Sequence, residues 1–160
     1  YVFSYRVGGI LVENGKILLQ RDKNGDHAVI GGHVSFMEQA KDTLVREFME
    51  ELHVKIGVDD LLAVNENFFM WGDKPCHQVH FYYAVHLEDD SFFREGERAG
   101  YDELDNLRVD LDFVWVPLEE LKGLLERGVT RPDELAEYFG VPEQFLWKCV
   151  QYYKEAKGAL

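Results

Sequence analysis

A chain of 160 residues, 46% hydrophobic and 29% charged, has the size and composition of one globular domain with a sizeable core, and a second catalytic domain would hardly fit. A net charge of −13 argues against nucleic acid as a partner, because affinity for phosphate backbones rests on lysine and arginine displacing counterions. No apolar run approaches bilayer-spanning length, no basic and apolar leader opens the sequence, and Cys76 and Cys149 stand far apart in no metal-type spacing. The expectation is a cytoplasmic protein with reduced thiols and no membrane partner, with homodimerisation left open. The acidic charge also opposes small phosphorylated substrates unless something positive is recruited, and a divalent cation is the simplest such agent.

In chain order, residues 5 to 21 read as a hairpin, with Val7, Ile10, Val12, Ile17 and Leu19 at strand-type positions and Asn14-Gly15 as the tight turn. His27 to Ile30 form a short β-prone piece running into Gly31-Gly32, where backbone without Cβ lets a ligand come close. A helix over about Gln39 to Leu52 follows, with Ala40, Leu44, Phe48 and Leu52 on one stripe. Val54 to Met70 reads as one or two strands after a turn near Gly57 to Asp60, and Val79 to Leu87 alternates as a two-faced strand. Residues 88 to 110, acidic and interrupted by Gly96 and Gly100, predict a mobile loop. Leu111 to Val116 returns to strand character, Pro117 opens a helix before Leu118, Leu121, Leu124 and Leu125, and a last helix covers Pro142 to Ala156. This order lacks regular βαβ alternation and fits the α/β class, as a mixed sheet between helices.

The helix at 39–52 carries the chemistry. At about 100° per residue, Glu47 and Glu51 fall within about 40° of each other, and Glu50 lies about 60° from Glu47. Three carboxylates on one face repel, and Glu50 and Glu51 also sit near the unfavourable end of the helix dipole. A hard divalent cation reverses the sign of that interaction, and all-oxygen ligation favours Mg²⁺ or Mn²⁺ over zinc. The bland reading is a solvated face, in which Arg46 pairs with Glu50 as ordinary helices do. Ser35 to Glu38 likewise matches an S-x-x-E capping box, which would give Glu38 no more than an amide to satisfy.

Together these residues resemble the Nudix box, G-x5-E-x7-R-E-U-x-E-E-x-G-U, with U a bulky aliphatic or similar residue. Gly32, Glu38, Arg46, Glu47, Phe48, Glu50, Glu51 and Val54 match, and His53 stands where the family has glycine. Histidine tolerates positive φ at a cost on the order of 1 kcal/mol. Ile30, where a proline often precedes the double glycine, and Met37, where a glycine often precedes the first glutamate, depart more weakly. The likeness runs from about Arg6 to Leu125, including Asn65 to Phe69 and Trp115-Val116-Pro117-Leu118.

The resemblance implies a Nudix-like mixed sheet sandwiched between helices (α-β-α) as a single domain over 1–160, with its core at about 5–127 and a C-terminal helical extension at about 131–157. It implies a metal-dependent hydrolase cleaving the diphosphate linkage of a nucleoside diphosphate joined to another moiety. By that resemblance Glu47, Glu50, Glu51 and the Gly31 carbonyl hold Mg²⁺ or Mn²⁺, Arg46 orients Glu47, and Glu38 supports the cluster. Glu47 is the favoured base, and Glu95, Glu97 and Glu103 in the later loop are the alternatives. The competing function is a non-catalytic ligand-binding or regulatory domain of the same fold. His80 and His86 share a strand face but read as ordinary sheet histidines, and Phe68, Phe69 and Trp71 read as core before nucleobase platform. No residue is assigned to substrate binding.

Overall fold

The computed structural model describes residues 1–22, 27–88, 98–104 and 107–120, with Asp22, 98–104 and 107–111 as backbone alone. Among the described residues are seven strands and one full helix: β1 (Val2–Glu13), β2 (Lys16–Asp22), β3 (His27–His33), α1 (Ala40–Leu52), β4 (Ile56–Trp71), β5 (Lys74–Leu87), β6 (Arg98–Leu104) and β7 (Leu107–Pro117). The strands lie in the order β4-β5-β1-β3-β2-β7-β6. β1 and β5 are parallel from Val2↔Cys76 to Leu11↔Val85, and the other pairings are antiparallel, so the sheet is mixed as expected.

The hairpin forms around Asn14 and Gly15, at φ 50° and 74°, the double positive-φ turn whose twist matches paired strands. β3 then divides its pairing. Its first three residues bond β2 (Leu19↔Val29 to Arg21↔His27), and from Ile30 to His33 it bonds β1 instead (Gly9↔Ile30 to Arg6↔His33). Gly31-Gly32 therefore sits just past the point where the sheet splits.

α1 covers one face. Ala40, Leu44, Phe48 and Leu52 are all buried, joined by Thr43, against Val7, Leu11, Ile30, Val85 and Phe113. Burying a side chain of the size of Phe48 contributes about 1.5–3 kcal/mol. Its ring packs so closely on β1 that a Cβ on Gly9 would come within 2.8 Å of it. The opposite face carries a second buried cluster that includes Ile10, Val12, Ile17, Leu19, Tyr82 and Val116. Leu118, at the start of a helical turn over 118–120, belongs to it, as the Pro117 signal predicts. Leu121, Leu124 and Leu125 and the expected helix over Pro142 to Ala156 lie outside the described residues, as does Cys149. Cys76 is buried and in no disulfide.

Three local expectations are corrected. Residues 98–104 and 107–110, expected as loop, are strand, paired from Arg98↔Phe113 to Leu104↔Leu107. Acidic residues and Gly100 lower local strand propensity, but a partner strand supplies the hydrogen bonds that propensity cannot, so β7 also begins at Leu107 rather than Leu111. No turn occurs at Gly57 to Asp60. β4 runs straight through, and register shifts between Val58 and Leu61 and between Leu61 and Ala63 absorb the irregularity as a bulged edge strand. The turn that does occur, Gly72-Asp73 between Trp71↔Lys74, has a legible signal in its Gly-Asp pair.

α1 ends on His53, at φ 56° and ψ 37°, whose N–H donates to the Met49 carbonyl at 3.0 Å. This is the left-handed cap that glycine adopts without cost. His53 is exposed, so its side chain returns little. His53→Gly should stabilise the fold by about 1 kcal/mol, raising Tm by about 2–4 °C for a chain of this size. Calorimetry checks it, and an unchanged or lower Tm contradicts the strain.

Candidate active site

The site begins with two glycines: a side chain on Gly31 would displace backbone, and one on Gly32 would displace the Glu47 carboxylate. A Cβ on Gly31 would lie 1.9 Å from the Val7 carbonyl oxygen, backbone against backbone, and one on Gly32 would lie 2.6 Å from Cδ of Glu47. β3 and α1 thus meet with the Glu47 carboxylate laid on the bare backbone of Gly32, its side chain only 16% exposed.

After β3 the chain turns through 34–39, where Glu38 N–H donates to the Ser35 carbonyl at 3.1 Å and Met37 adopts φ 65°. Met37 occupies one of the positions flagged for a missing glycine, and the backbone conformation explains why glycine suits it. The capping-box reading is overturned: the helix N-cap is Gln39, without a side-chain cap bond. The Ser35 hydroxyl instead accepts from Arg46 Nη2 at 2.9 Å, and Glu38 points at Arg46 and Thr43.

Arg46 organises the cluster. Its Nε and Nη2 donate to the Glu38 carboxylate at 3.1–3.3 Å, and its Nη1 donates to Glu50 at 3.1 and 3.2 Å and to Glu47 Oε1 at 3.4 Å. Arg46 hydrogen-bonded to Glu38 holds that carboxyl below its ordinary range, and the Thr43 hydroxyl adds to the effect. In return the guanidinium is held more firmly protonated, first by Glu38. The simple surface pair of Arg46 with Glu50 exists, but as one arm of a network in which Arg46 also bonds Ser35, Glu38 and Glu47. Thr43, unassigned in the sequence reading, was marked only by being a polar residue between the buried Ala40 and Leu44.

Do these residues suit a divalent ion? The donor types do: Glu47, Glu50 and Glu51 offer hard carboxylate oxygens from adjacent turns of one helix, and Gly32 leaves room for the Glu47 carboxylate against the backbone. Among the described residues no three His, Cys, Asp or Glu side chains are gathered into a ready-made cage. The guanidinium of Arg46 is what the carboxylates of Glu38, Glu47 and Glu50 turn toward, and it offsets their mutual repulsion. The helix fixes the carboxylate-bearing backbone, and rotation about side-chain torsions suffices to redirect the oxygens.

Other expectations fall elsewhere. His80 and His86 are no ligand pair: His80 is buried and donates from Nδ1 to the Phe81 carbonyl at 3.1 Å, whereas His86 bonds Asp59 at 2.8 Å near the sheet edge. The core reading of Phe68 and Trp71 is corrected, since they are 71% and 51% exposed and belong to neither cluster. They lie on β4, at one edge of the sheet, where Phe68 meets the ring of His77 on β5 with centroids 4.4 Å apart. Phe69 is half-buried. Glu95 and Glu97 lie outside the described residues, and Glu103 is on β6, whose side chains also lie outside them.

The fold is a split mixed sheet with a glutamate-bearing helix laid on a double glycine. Comparison with known proteins agrees with that class. The NUDIX domain family model matches residues 3–139. A MutT NUDIX hydrolase from Burkholderia pseudomallei superposes with a TM-score of 0.54 at 22% identity, over 74% of this chain and 86% of that one. A UDP-X diphosphatase gives 0.57 at 24% identity over 94% of this chain and 64% of that one. An ADP-ribose pyrophosphatase from Streptococcus suis 89-1591 gives 0.51 at 16% identity over 72% and 75%. The structural likenesses establish the fold, and the family match establishes membership: the chain belongs to the NUDIX family. It is accordingly a hydrolase of the class acting on phosphorus-containing acid anhydrides. No helix among the described residues is long and apolar enough to cross a membrane.

Proposed function

We propose that this protein is a single-domain cytoplasmic enzyme that cleaves the diphosphate linkage of a small-molecule nucleoside diphosphate joined to another moiety. The observation that carries the reading is the Glu47 carboxylate resting on Gly32 and tied to Arg46, a positioned, partly desolvated base beside further carboxylates. The substrates named for two structural neighbours, ADP-ribose and a UDP derivative, are compounds of this kind.

In this reading Glu47, Glu50, Glu51 and the Gly31 carbonyl hold Mg²⁺, with Mn²⁺ as the alternative. When bound, the ion neutralises diphosphate oxygens and makes water acidic enough to attack phosphorus near neutral pH. The chain's own residues do the rest. Glu47 takes the proton of the attacking water at a carboxylate oxygen. Arg46 keeps that carboxylate in place, and Glu38, itself fixed by Thr43, keeps Arg46 in place.

A screen of nucleoside diphosphate compounds with Mg²⁺ and Mn²⁺, with and without EDTA, tests the proposal. Turnover to a nucleoside monophosphate and a second phosphorylated product is expected, abolished by EDTA and restored by added metal. Turnover that EDTA leaves untouched, or none with any compound and either metal, overturns it.

A further inference from the structure

The strand registers place a second group of polar side chains on the sheet face opposite the glutamate-bearing helix. Arg6 lies opposite His33 on β3 and opposite His80 on β5, and His80 lies opposite Asn65 on β4. Directly opposed residues share a sheet face, so His33, Arg6, His80 and Asn65 form one row across four strands, about 14 Å long at the usual strand spacing. On one side of the row run Ser4, Gln78 and Asn67, and on the other Gly31, Gly8, Tyr82 and Ala63. This face is the one turned away from α1, because Val7 and Phe81, their neighbours in the chain, pack with the helix-side core.

Burying polar groups costs stability unless they are hydrogen-bonded, and a sheet face with only a core to build would be apolar here. Ser4, Gln78 and His80 are instead three of the four buried polar residues among those described. Ser4 donates to Gln78 at 3.4 Å, Asn65 to Asn67 at 3.1 Å, and His80 stacks on Tyr82 with centroids 4.0 Å apart. Burial, with Arg6 and His33 nearby, pushes His80 down to about 3, so it stays neutral and does not compete as a cation. Among the described residues no carboxylate forms an ion pair with Arg6, while Arg21, Arg46 and Lys55 each have one. Such a charge, kept at the border of a built polar face in a chain of net −13, is suited to an anion. The guanidinium fork matches phosphate oxygens bidentately. Gly31, whose carbonyl is assigned to the ion, flanks the row on the same face, so the place for that anion adjoins that glycine.

We propose that Arg6, assisted by an imidazole N–H of His33, binds a phosphate of the nucleoside diphosphate substrate on the sheet face beside Gly31. This rests on the reading of the substrate as a nucleoside diphosphate derivative, and it makes Arg6 a binding residue of the site.

Titration calorimetry with ADP, inorganic pyrophosphate and adenosine in EDTA tests the seat without requiring turnover. Arg6→Gln should weaken ADP and pyrophosphate about 10- to 100-fold, the loss of a charge-assisted pair, and leave adenosine unchanged. Arg6→Lys should recover part of the loss, and Mn²⁺ affinity, measured separately, should not move. No measurable pyrophosphate binding by the unaltered protein, unchanged affinities in Arg6→Gln, or an equal loss for adenosine overturns the proposal. Arg6-dependent binding in a protein that hydrolyses nothing would remove the hydrolase reading and keep the seat. Full hydrolysis with an unchanged KM in Arg6→Gln would do the reverse.

Discussion

Glu47→Gln is expected to lower kcat by roughly 10²–10⁴-fold, the usual contribution of a positioned general base. The substitution keeps the volume that rests on Gly32 and removes only the charge and the proton-accepting oxygen, so the packing of α1 on β3 survives. It also relieves repulsion among clustered carboxylates, so Tm should hold or rise slightly. Single-turnover rates at saturating Mg²⁺ separate loss of the base from weakened ion binding, and Mn²⁺ titration of the same variant measures the second directly. A variant that keeps its full rate would transfer the base to Glu95, Glu97 or Glu103. The adjacent Glu50 is a control: it is more exposed than Glu47, 57% against 16% by side chain, so Glu50→Gln should weaken ion binding more than it slows chemistry at saturation.

Much of this could be read from residue order because the relevant physics is local. The stripe Ala40, Leu44, Phe48, Leu52 requires a helix with one buried face, and Asn14-Gly15 requires a positive-φ turn; both are present. The departures from the family pattern were legible in the same way. His53 and Met37 replace glycines and both adopt left-handed backbone, so glycine is preferred there for conformation. What could not be read depends on partners distant in sequence. β6 exists because β7 pairs with it, and Phe68 is exposed because β4 lies at the sheet edge; neither fact has a counterpart in local composition. The capping box failed for a related reason. Ser35 and Glu38 have the right spacing for it, but Arg46, eight residues beyond Glu38, competes for both side chains and offers a charged partner in place of an amide. The row through Arg6 is invisible until the registers of four strands are known.

Arg46→Ala should lower kcat/KM by about 10- to 100-fold, the range found when a group that orients metal-binding or catalytic side chains is removed. The physical reason is that one guanidinium holds Glu38, Glu47 and Glu50 at once. Without it the carboxylates repel with nothing between them, and the Glu47 carboxylate loses the bond to Oε1 that restrains it. Stability should fall little near neutral pH, because partly exposed ion pairs contribute weakly to folding. The sign of the pH dependence follows from Glu38, whose carboxyl is lowered in the folded state. Its contribution is complete above the ordinary value of 4.5 and is lost as pH falls through the lower folded value, so the two proteins should converge in stability under acid. Arg46→Lys distinguishes charge from shape: a lysine restores a positive point but cannot span Glu38 and Glu50 with a planar fork, so most of the stability difference should return while kcat stays low. Recovery of kcat by lysine would mean that Arg46 acts through charge alone, and the positioning role assigned to its geometry would be withdrawn.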